Sequence, residues 1–419
     1  MMKPKVLVSH PGRQHAHQLV FALQEVGYLV KFVTSIWYKP GRFPYKYIGL
    51  LPVKLKGALE KELRKRYYEG IDENFIEQFP FFDILRESFD RLFKGYKREL
   101  SNYLVNRIHD CYVSKRIERI KPDIILGYET SSLRSFRKAK ENGKISILDL
   151  VSAPYWFQRK IWSICKFDPY DESNWLSDQI GRVKQEEIDT ADYIFIPSEY
   201  VKSILLKADI PERKILKIPF GASSVFFKPK ADYRKNSTFR ILYVGSMTKG
   251  KGINYMLQAL KELALDNVEL ILIGPMADGK AVLKQYQGSY KYIPFLHHED
   301  LSKHYQEADI FVFPSLLEGF AQVVIEAMAC GTPVIVTQNS GSSDAVRDGT
   351  DGFIVPIMDV ESLKGKILYF YENREKIKEM GKNAASAAQD YTWESYRKRV
   401  REIIEEIWNK RVSGLEVRY

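Results

Sequence analysis

Short apolar segments bounded by turn residues recur along the chain, and longer segments with helical spacing of apolar positions separate them. Strands that are buried on both faces of a parallel sheet have this continuous apolar character, and the alternation with helices is typical of α/β domains. The pattern predicts strands at 5–9, 29–33, 123–128, 145–148, 192–197, 239–244, 268–274, 291–293, 309–313, 333–337 and 353–355.

One pause interrupts this alternation and divides the chain. Residues 220–237 are rich in glycine, serine, proline and polar residues, and the pattern begins again at Phe239. Such a composition is typical of a linker between domains. We therefore predict an α/β protein with two Rossmann-like, doubly wound domains that face a cleft, divided as follows: an N-terminal domain at 1–220, a linker at 221–238, a C-terminal domain at 239–390 and a final helical segment at 391–419.

Residues 36–119 stand outside the alternation, and we expect them to form a helical insert without strands. Their first part, 37–68, has nine Lys and Arg against two Glu, with aromatic residues between them. Such a surface suits anionic lipid head groups or the phosphates of sugars and nucleic acids. A solvated charged face with aromatic side chains in the local core explains the pattern equally well. The candidates for a membrane or acceptor patch are Trp37, Arg42, Lys61, Arg64, Lys65 and Arg66.

Composition narrows the class of protein. A length of 419 residues with 45% hydrophobic residues supports two globular cores, and the net charge of +11 indicates an anionic partner. Three widely spaced cysteines argue against a disulfide framework or a zinc site. With no apolar segment of the kind found in signal peptides or membrane spans, we expect a protein that is cytoplasmic or peripheral on the inner face of the membrane.

The segment at 309–337 contains the most specific candidate chemistry. Its pattern predicts a strand, a loop with Glu318, a helix and a second strand, so Glu318 follows the carboxyl end of a parallel strand, where such sheets bind ligands. The amides of the next residues begin the helix and form a potential anion site. Glu326 lies on the second turn among apolar residues, and ribose hydroxyls would be suitable partners. The alternative is one glutamate that stabilises the helix dipole and one that is solvated.

The E-x7-E spacing of Glu318 and Glu326, within PS-x-x-EGF…EAMA-x-G-x-PV, closely resembles family 4 glycosyltransferases of the GT-B type. The resemblance implies that Glu318 contacts hydroxyls of the transferred sugar and that Glu326 holds the ribose of the nucleotide. Family members usually have glycine where this chain has Ala321. The resemblance also implies a phosphate contact by backbone amides of the residues in between: Gly319, Phe320, Ala321 and Gln322.

A second match lies at 241–252, where ILYVGSMTKGKG predicts a strand that enters a glycine-rich loop before a helix. Such a loop can hold phosphate. The family commonly has Arg at the position of Ser246 and Lys at that of Lys251, so Lys249 is a candidate substitute for the missing Arg. Further similarity extends over the second half of the chain, including the helix that returns to the N-terminal domain. It adds three donor-binding candidates: Gly245, Gly274 and Leu296.

The first predicted strand leads into Gly12, Arg13 and His15, where the family usually has a glycine-rich turn that faces the donor phosphates and the acceptor. We expect these three residues to contact phosphate or acceptor. Many relatives have a histidine near the end of a middle strand of this domain, but residues 149–155 contain none. No catalytic histidine is assigned for this reason.

The resemblance thus implies a retaining glycosyltransferase that moves a sugar from a nucleotide-diphosphate sugar to a hydroxyl of a carbohydrate or lipid-linked acceptor, in surface polysaccharide or glycolipid synthesis. Glu318 and Lys251 are the catalytic candidates. We expect no metal or other cofactor, because the chain has no D-x-D pair. One alternative is a non-catalytic glycosyltransferase-like subunit. A nucleic-acid-binding protein is the other, but no recognition-helix, zinc or RNP signature supports it, and we expect no nucleic-acid partner.

Overall fold

Two parallel sheets, each covered by helices, make up the computed structural model. It describes residues 3–12, 15–39, 41, 45–50, 52–64, 70–79, 96–166, 175–233 and 237–414. The first sheet has the strand order β3-β2-β1-β4-β5-β6-β7, and the second has the order β10-β9-β8-β11-β12-β13. Neighbouring strands in both sheets are parallel. This architecture confirms the predicted fold class.

The first sheet lies in the N-terminal half. Its strands are Val6–His10 (β1), Leu29–Thr34 (β2), Ile76–Gln78 (β3), Ile124–Tyr128 (β4), Ile145–Asp149 (β5), Tyr193–Ile196 (β6) and Ile215–Lys217 (β7). The helices of this half are Ala16–Glu25 (α1), Val53–Arg64 (α2), Tyr96–Ser114 (α3), Ile117–Ile120 (α4), Leu133–Glu141 (α5), Tyr155–Ile164 (α6), Trp175–Thr190 (α7) and Glu199–Leu206 (α8).

The second sheet begins after the pause in the pattern. Its strands are Phe239–Val244 (β8), Val268–Ile273 (β9), Lys291–Ile293 (β10), Ile310–Phe313 (β11), Val334–Thr337 (β12) and Gly352–Val355 (β13). The helices that follow are Ile253–Leu263 (α9), Lys280–Lys284 (α10), His298–Glu307 (α11), Gln322–Ala329 (α12), Val360–Glu372 (α13), Arg374–Ala387 (α14) and Trp393–Val412 (α15).

The burial of the central strands explains why continuous apolar segments mark the strands in the sequence. All five residues of β1, all five of β4 and all four of β11 are buried, because helices cover both faces of the sheets. The strand order reverses between β1 and β4 and again between β8 and β11. At such a reversal the loops at the carboxyl ends of the strands separate and leave a crevice for ligands. The loops after β8 and β11 carry the donor-site candidates.

All the predicted strands are present, but the prediction that 36–119 contains no strand is wrong. Ile76–Gln78 forms the edge strand β3, which pairs with β2 through Phe32 and Ile76. The second unpredicted strand, Ile215–Lys217, lies at the opposite edge of the same sheet. Both are short edge strands without a clear apolar run, so pairing with β2 and with β6 determines their structure.

The long C-terminal helix α15 packs on the N-terminal half of the chain. Arg397 donates from Nη1 to Oε1 of Gln18 at 2.7 Å, and Arg401 lies 2.6 Å from a carboxylate oxygen of Glu25, both on α1. Gly221 permits the close approach, because a Cβ there would lie 2.1 Å from the backbone of Thr392. Over the described ranges, no helix has an apolar stretch long enough to cross a bilayer.

Candidate active site

The loops after β8 and β11 bring Lys251 and Glu318 together. Lys251 ends a short 3-10 turn in which the hydroxyl of Thr248 accepts a hydrogen bond from the Lys251 amide at 3.2 Å. Its ammonium group forms an ion pair with the carboxylate of Glu318, and both side chains are part-buried. The two catalytic candidates, 67 residues apart in the sequence, therefore meet at the carboxyl ends of neighbouring strands.

Close packing between the two loops positions this pair. Gly252 has a φ of +69°, and a Cβ at this position would lie 1.9 Å from the carbonyl oxygen of Pro314. Only glycine can satisfy both requirements at low cost. The Leu316 amide also donates to the carbonyl of Gly250 at 3.0 Å. The glycine-rich loop thus rests on the end of β11.

Glu318 is held by backbone hydrogen bonds on both sides. Its amide donates to the carbonyl of Asn339 at 3.0 Å, and its carbonyl accepts from the Gly341 amide at 2.9 Å. The helix α12 begins four residues later, after Ala321. The first amides of a helix lack partners within the helix and favour an anion. A carboxylate, an ammonium group and a helix N-terminus therefore converge within a few residues.

Glu326 lies on α12 beside a buried tyrosine. The hydroxyl of Tyr305 donates to the Glu326 carboxylate at 3.0 Å. Burial raises the pKa of Glu326 to about 7, although the hydrogen bond from Tyr305 opposes the shift. At neutral pH this carboxyl group is therefore poised between its protonated and charged forms. A ligand that donates hydrogen bonds to it would favour the charged form.

Five further donor-site candidates lie at the ends of β8, β9 and β10 or in the loops that follow them. Gly245 and Gly274 end adjacent strands so closely that a Cβ on Gly274 would lie 2.1 Å from the Gly245 carbonyl oxygen. Ser246 is part-buried, and its carbonyl accepts from the Tyr243 hydroxyl at 3.0 Å. Lys249 is exposed on the 3-10 turn. Leu296, half-buried, follows the end of β10 by three residues. The donor contacts of these residues stay predictions.

In the N-terminal half, His15 forms a buried pair with Asp149 at the end of β5. His15 Nε2 and Asp149 Oδ2 are 2.7 Å apart, and the side chains are 3% and 4% exposed. The imidazole packs on Phe220 at 4.2 Å between ring centroids. The imidazole is thus buried between Asp149 and Phe220, and direct contact of His15 with an acceptor or a phosphate stays a prediction.

Two tyrosines complete the surroundings of His15. Tyr128 and Tyr396 lie edge-on to the imidazole, at 5.6 and 5.9 Å between centroids. Burial and then the charge of Asp149 raise the pKa of both hydroxyl groups well above the usual range. Residues 149–155, at the end of this middle strand, contain no histidine of their own. The structure instead brings His15 there from the first loop, with Asp149 as the partner that sequence reasoning missed.

The turn after β1 is held by a histidine of its own. The amide of Gly12 donates to His10 Nδ1 at 2.7 Å, and the His10 ring packs edge-on against Tyr128 at 4.2 Å. Arg13 lies outside the described residues. Its predicted phosphate contact, like that of Gly12, stays a prediction.

The carboxyl ends of the two sheets touch at Gly319. The Ser198 hydroxyl, after β6, donates to the Gly319 carbonyl at 2.9 Å. A Cβ on Gly319 would lie 2.1 Å from the Val151 carbonyl oxygen. Asp344 adds a contact by accepting from the amide of Glu199 at 2.5 Å. No short motif signals these contacts, because each joins residues from different halves of the chain.

The basic patch is only partly within the described residues. Trp37 is fully buried in the core of the N-terminal half, so its predicted place in a surface patch is wrong. The large indole finds more contacts between β2 and α1 than at a surface, and its ring packs against Phe32 and His17. The remaining candidates lie outside the described side chains: Arg42, Lys61, Arg64, Lys65 and Arg66. Membrane contact stays a prediction.

The fold has clear structural relatives. Sucrose-phosphate synthase from Thermosynechococcus elongatus superposes with a TM-score of 0.64 at 18% identity, covering 97% of this chain and all of that one. HepE from Anabaena in complex with UDP gives a TM-score of 0.65 at 15% identity, covering 97% and 100%. The fold is GT-B. At this identity the superposition establishes the GT-B architecture, in which two facing α/β domains bring the carboxyl ends of their strands together.

The family-model match lies in the second half of the chain. Residues 227–387 match the family model described as "Glycosyl transferases group 1", and this segment contains Lys251, Glu318 and Glu326. The capsular polysaccharide biosynthesis glycosyltransferase CapM of Staphylococcus aureus is 32% identical over 191 residues, which cover 41% of this chain and 50% of CapM. An uncharacterized glycosyltransferase of Methanocaldococcus jannaschii is 28% identical over 224 residues, covering 52% and 60%. The matches thus span half to three fifths of these relatives.

Proposed function

We propose that the protein is a retaining glycosyltransferase that transfers a sugar from a nucleotide-diphosphate sugar to an acceptor hydroxyl. One observation carries the proposal: Lys251 and Glu318 form an ion pair beside the N-terminus of α12, within the segment that matches group 1 glycosyltransferases. A cation and free helix amides suit a diphosphate, and a neighbouring carboxylate suits sugar hydroxyls. HepE, which has the same fold, was solved in complex with UDP, and a nucleotide ligand is part of the proposal for this chain.

The ion pair implies how the donor would engage the site. Lys251 would exchange the Glu318 carboxylate for the donor diphosphate and stabilise the charge that develops on the leaving group. Glu318 would then be released to accept hydrogen bonds from hydroxyls of the sugar. The amides of Gly319, Phe320 and Ala321, just before α12, would donate hydrogen bonds to the diphosphate, and the N-terminus of α12 would add the positive end of its dipole. Donor binding and the placement of Glu318 are therefore coupled in this proposal.

In this proposal the anomeric configuration is retained because the acceptor hydroxyl attacks the same face of the sugar that the diphosphate leaves. The donor phosphate would accept the proton of the acceptor hydroxyl, so the protein would supply no covalent nucleophile. Glu318, the acidic side chain at the end of β11, is engaged by Lys251 and suits the hydroxyl-binding role. The contacts at Gly319 would exclude water from the reacting atoms and protect the donor from hydrolysis.

The acceptor class rests on the relatives. CapM is named for capsular polysaccharide biosynthesis, and a second relative, from Escherichia coli, is named O-antigen chain mannosyltransferase B, at 25% identity over 254 residues. We accordingly propose a carbohydrate or lipid-linked acceptor in surface polysaccharide or glycolipid synthesis. The N-terminal domain would present the acceptor hydroxyl across the cleft.

A panel of nucleotides and nucleotide-sugars tests the donor proposal directly. We expect one nucleoside diphosphate and its sugar conjugate to raise the melting temperature, because a ligand at 100 times its Kd adds about 2.7 kcal/mol to the free energy of unfolding. Product analysis by NMR would then show whether the anomeric configuration is retained. A chain that no member of the panel stabilises would contradict the proposal and favour a non-catalytic subunit.

The raised pKa of Glu326 predicts a pH-dependent nucleotide affinity. Ribose hydroxyls that donate to Glu326 favour its charged form, so binding releases a proton and is strongest above the pKa of about 7. We expect the Kd measured by calorimetry to rise about tenfold between pH 8 and pH 6. The Glu326→Gln variant should bind more weakly at pH 8. It should also lack this part of the pH dependence. An identical pH profile in wild type and variant would remove Glu326 from the ribose site.

A metal ion is not needed in the proposed mechanism, because Lys251 and α12 would neutralise the diphosphate. The described residues contain no group of three or more His, Cys, Asp or Glu side chains placed to hold a metal ion. We expect turnover in EDTA to stay within about twofold of that of the untreated enzyme. Removal of a main charge-stabilising group would instead lower turnover by about 10²-fold. Loss of turnover in EDTA that manganese or magnesium restores would contradict this assignment.

A further inference from the structure

A cavity of about 400 Å³ opens between α6 and α7 on the N-terminal domain. It lies apart from Lys251, Glu318 and the other donor-site residues. Its lining includes two aromatic and four charged side chains: Tyr155, Trp156, Arg159, Asp178, Arg182 and Lys184. We call it the α6–α7 cavity.

The charges of the α6–α7 cavity favour an anion. Two guanidinium groups and one ammonium group, those of Arg159, Arg182 and Lys184, line it together with a single carboxylate. That carboxylate, Asp178, lies 3.6 Å from Arg159 Nη1 at an exposed position. Lys184 lies 3.4 Å from Glu129. Even with both acidic groups counted, three positive charges face two negative ones. Guanidinium groups bind phosphate oxygens with two parallel hydrogen bonds.

Exposed large apolar side chains lie on the same two helices, one of them in the cavity lining. Trp156 on its wall is 40% exposed, Ile164 at the end of α6 is 52% exposed, and Trp175 at the start of α7 is 61% exposed. Exposed tryptophan beside basic residues is typical of surfaces that meet a lipid head group and the first part of its chain. The cavity lining therefore combines three basic side chains with an exposed tryptophan, and further exposed apolar side chains lie at the end of α6 and the start of α7.

The α6–α7 cavity lies close to the proposed transfer site. The loop before α6 contacts Gly319, because a Cβ there would be 2.7 Å from the Cα of Ser152. Tyr155, the first residue of α6, follows three residues later and lies within about 11 Å of Ser152, the reach of an extended chain. A phosphate in the cavity and a hydroxyl near Glu318 can thus belong to one acceptor molecule.

We propose that the α6–α7 cavity binds the phosphate or diphosphate of a lipid-linked acceptor, whose apolar chain contacts Trp156. This inference rests on the proposed glycosyltransferase function and specifies its acceptor. Arg159 and Arg182 hold the phosphate oxygens, and the sugar attached to the phosphate extends past Ser152 towards Gly319.

Calorimetry on the full-length protein tests the cavity with three probes: farnesyl diphosphate, inorganic pyrophosphate and farnesol. We expect farnesyl diphosphate to bind most tightly, since it alone has both the anion and the apolar chain. The double variant Arg159→Gln/Arg182→Gln should weaken it at least 10-fold, because each hydrogen bond between charged groups contributes on that scale. The control Lys160→Gln/Lys207→Gln removes two exposed positive charges outside the cavity and should stay within about twofold of wild type.

The other outcomes separate the sources of the phosphate. Pyrophosphate and farnesyl diphosphate could bind with equal affinity, and Arg159→Gln/Arg182→Gln could lose both. That result would indicate a soluble phosphate-bearing acceptor in the cavity and would overturn the proposal that the acceptor is linked to a lipid. Farnesol binding as tightly as farnesyl diphosphate would overturn the anion part. A double variant that binds farnesyl diphosphate like wild type would overturn the assignment of the cavity altogether.

Nucleotide binding distinguishes this proposal from the one on which it rests. The double variant should bind the stabilising nucleoside diphosphate as wild type does, which also shows that it is folded. Intact nucleotide binding with unchanged farnesyl diphosphate affinity in the variant contradicts only the cavity. A wild-type protein that binds no nucleotide contradicts the proposed function itself.

Discussion

Replacing Glu318 with glutamine is expected to lower turnover by about 10²–10³-fold, the scale found for single preorganised electrostatic groups. The side chain keeps its size and some hydrogen bonding but loses the charge that stabilises the sugar as it becomes positive in the transition state. Nucleoside diphosphate should bind as well as before or somewhat more tightly, because Lys251 no longer has to leave the Glu318 carboxylate. Steady-state kinetics and calorimetry measure the two effects separately.

The surface variant Glu361→Gln is the matched control for this change. Glu361 is exposed on α13 and pairs only with Lys364 on the same helix among the described ion pairs, so we expect turnover within about twofold of wild type. If Glu318→Gln abolishes nucleotide binding yet retains normal turnover at saturation, the sugar-contacting role assigned to Glu318 is wrong.

Replacing Lys251 with methionine is expected to reduce kcat/KM by about 10²–10³-fold, because the ammonium group stabilises the leaving diphosphate in the transition state. Methionine has a similar unbranched chain but neither the charge nor the hydrogen-bond donors of the ammonium group. Nucleoside diphosphate affinity should fall as well, by about 10-fold or more, since a charge-assisted hydrogen bond is lost. This joint loss differs from the effect of Glu318→Gln, which spares nucleotide binding.

Lys261→Met provides the control, because Lys261 is an exposed lysine on α9, the helix that follows the Lys251 loop. It should have nearly wild-type kinetics. A Lys251→Met enzyme with unchanged nucleotide affinity and unchanged kcat/KM would show that the Lys251–Glu318 pair is structural. The donor diphosphate would then have to rely on the helix amides alone.

The proposed coupling between the two residues can be examined in the double variant. If Lys251 and Glu318 act through one ion pair that the donor opens, the loss in Glu318→Gln/Lys251→Met should be smaller than the product of the single losses. Groups that contact each other are not additive, whereas independent groups are.

Much of the fold was determined by local sequence. The central strands are continuous apolar runs because both faces of each sheet are covered, so their positions follow from residue type alone. Glu318 and Glu326 also belong to one strand–loop–helix unit, and their placement at the end of β11 and on α12 depends on residues within that unit. A spacing of eight residues was therefore enough to predict where both carboxylates lie.

Contacts between distant segments were decided by tertiary structure alone. The edge strand β3 exists because Ile76 pairs with Phe32, and Trp37 is buried because helices and strands close around it, although its local sequence resembles a basic surface. The pairs His15–Asp149 and Lys251–Glu318 join residues 134 and 67 positions apart. Apolar periodicity reports which face of an element is buried, but it contains no information about which partner covers that face or which side chain meets another across a sheet.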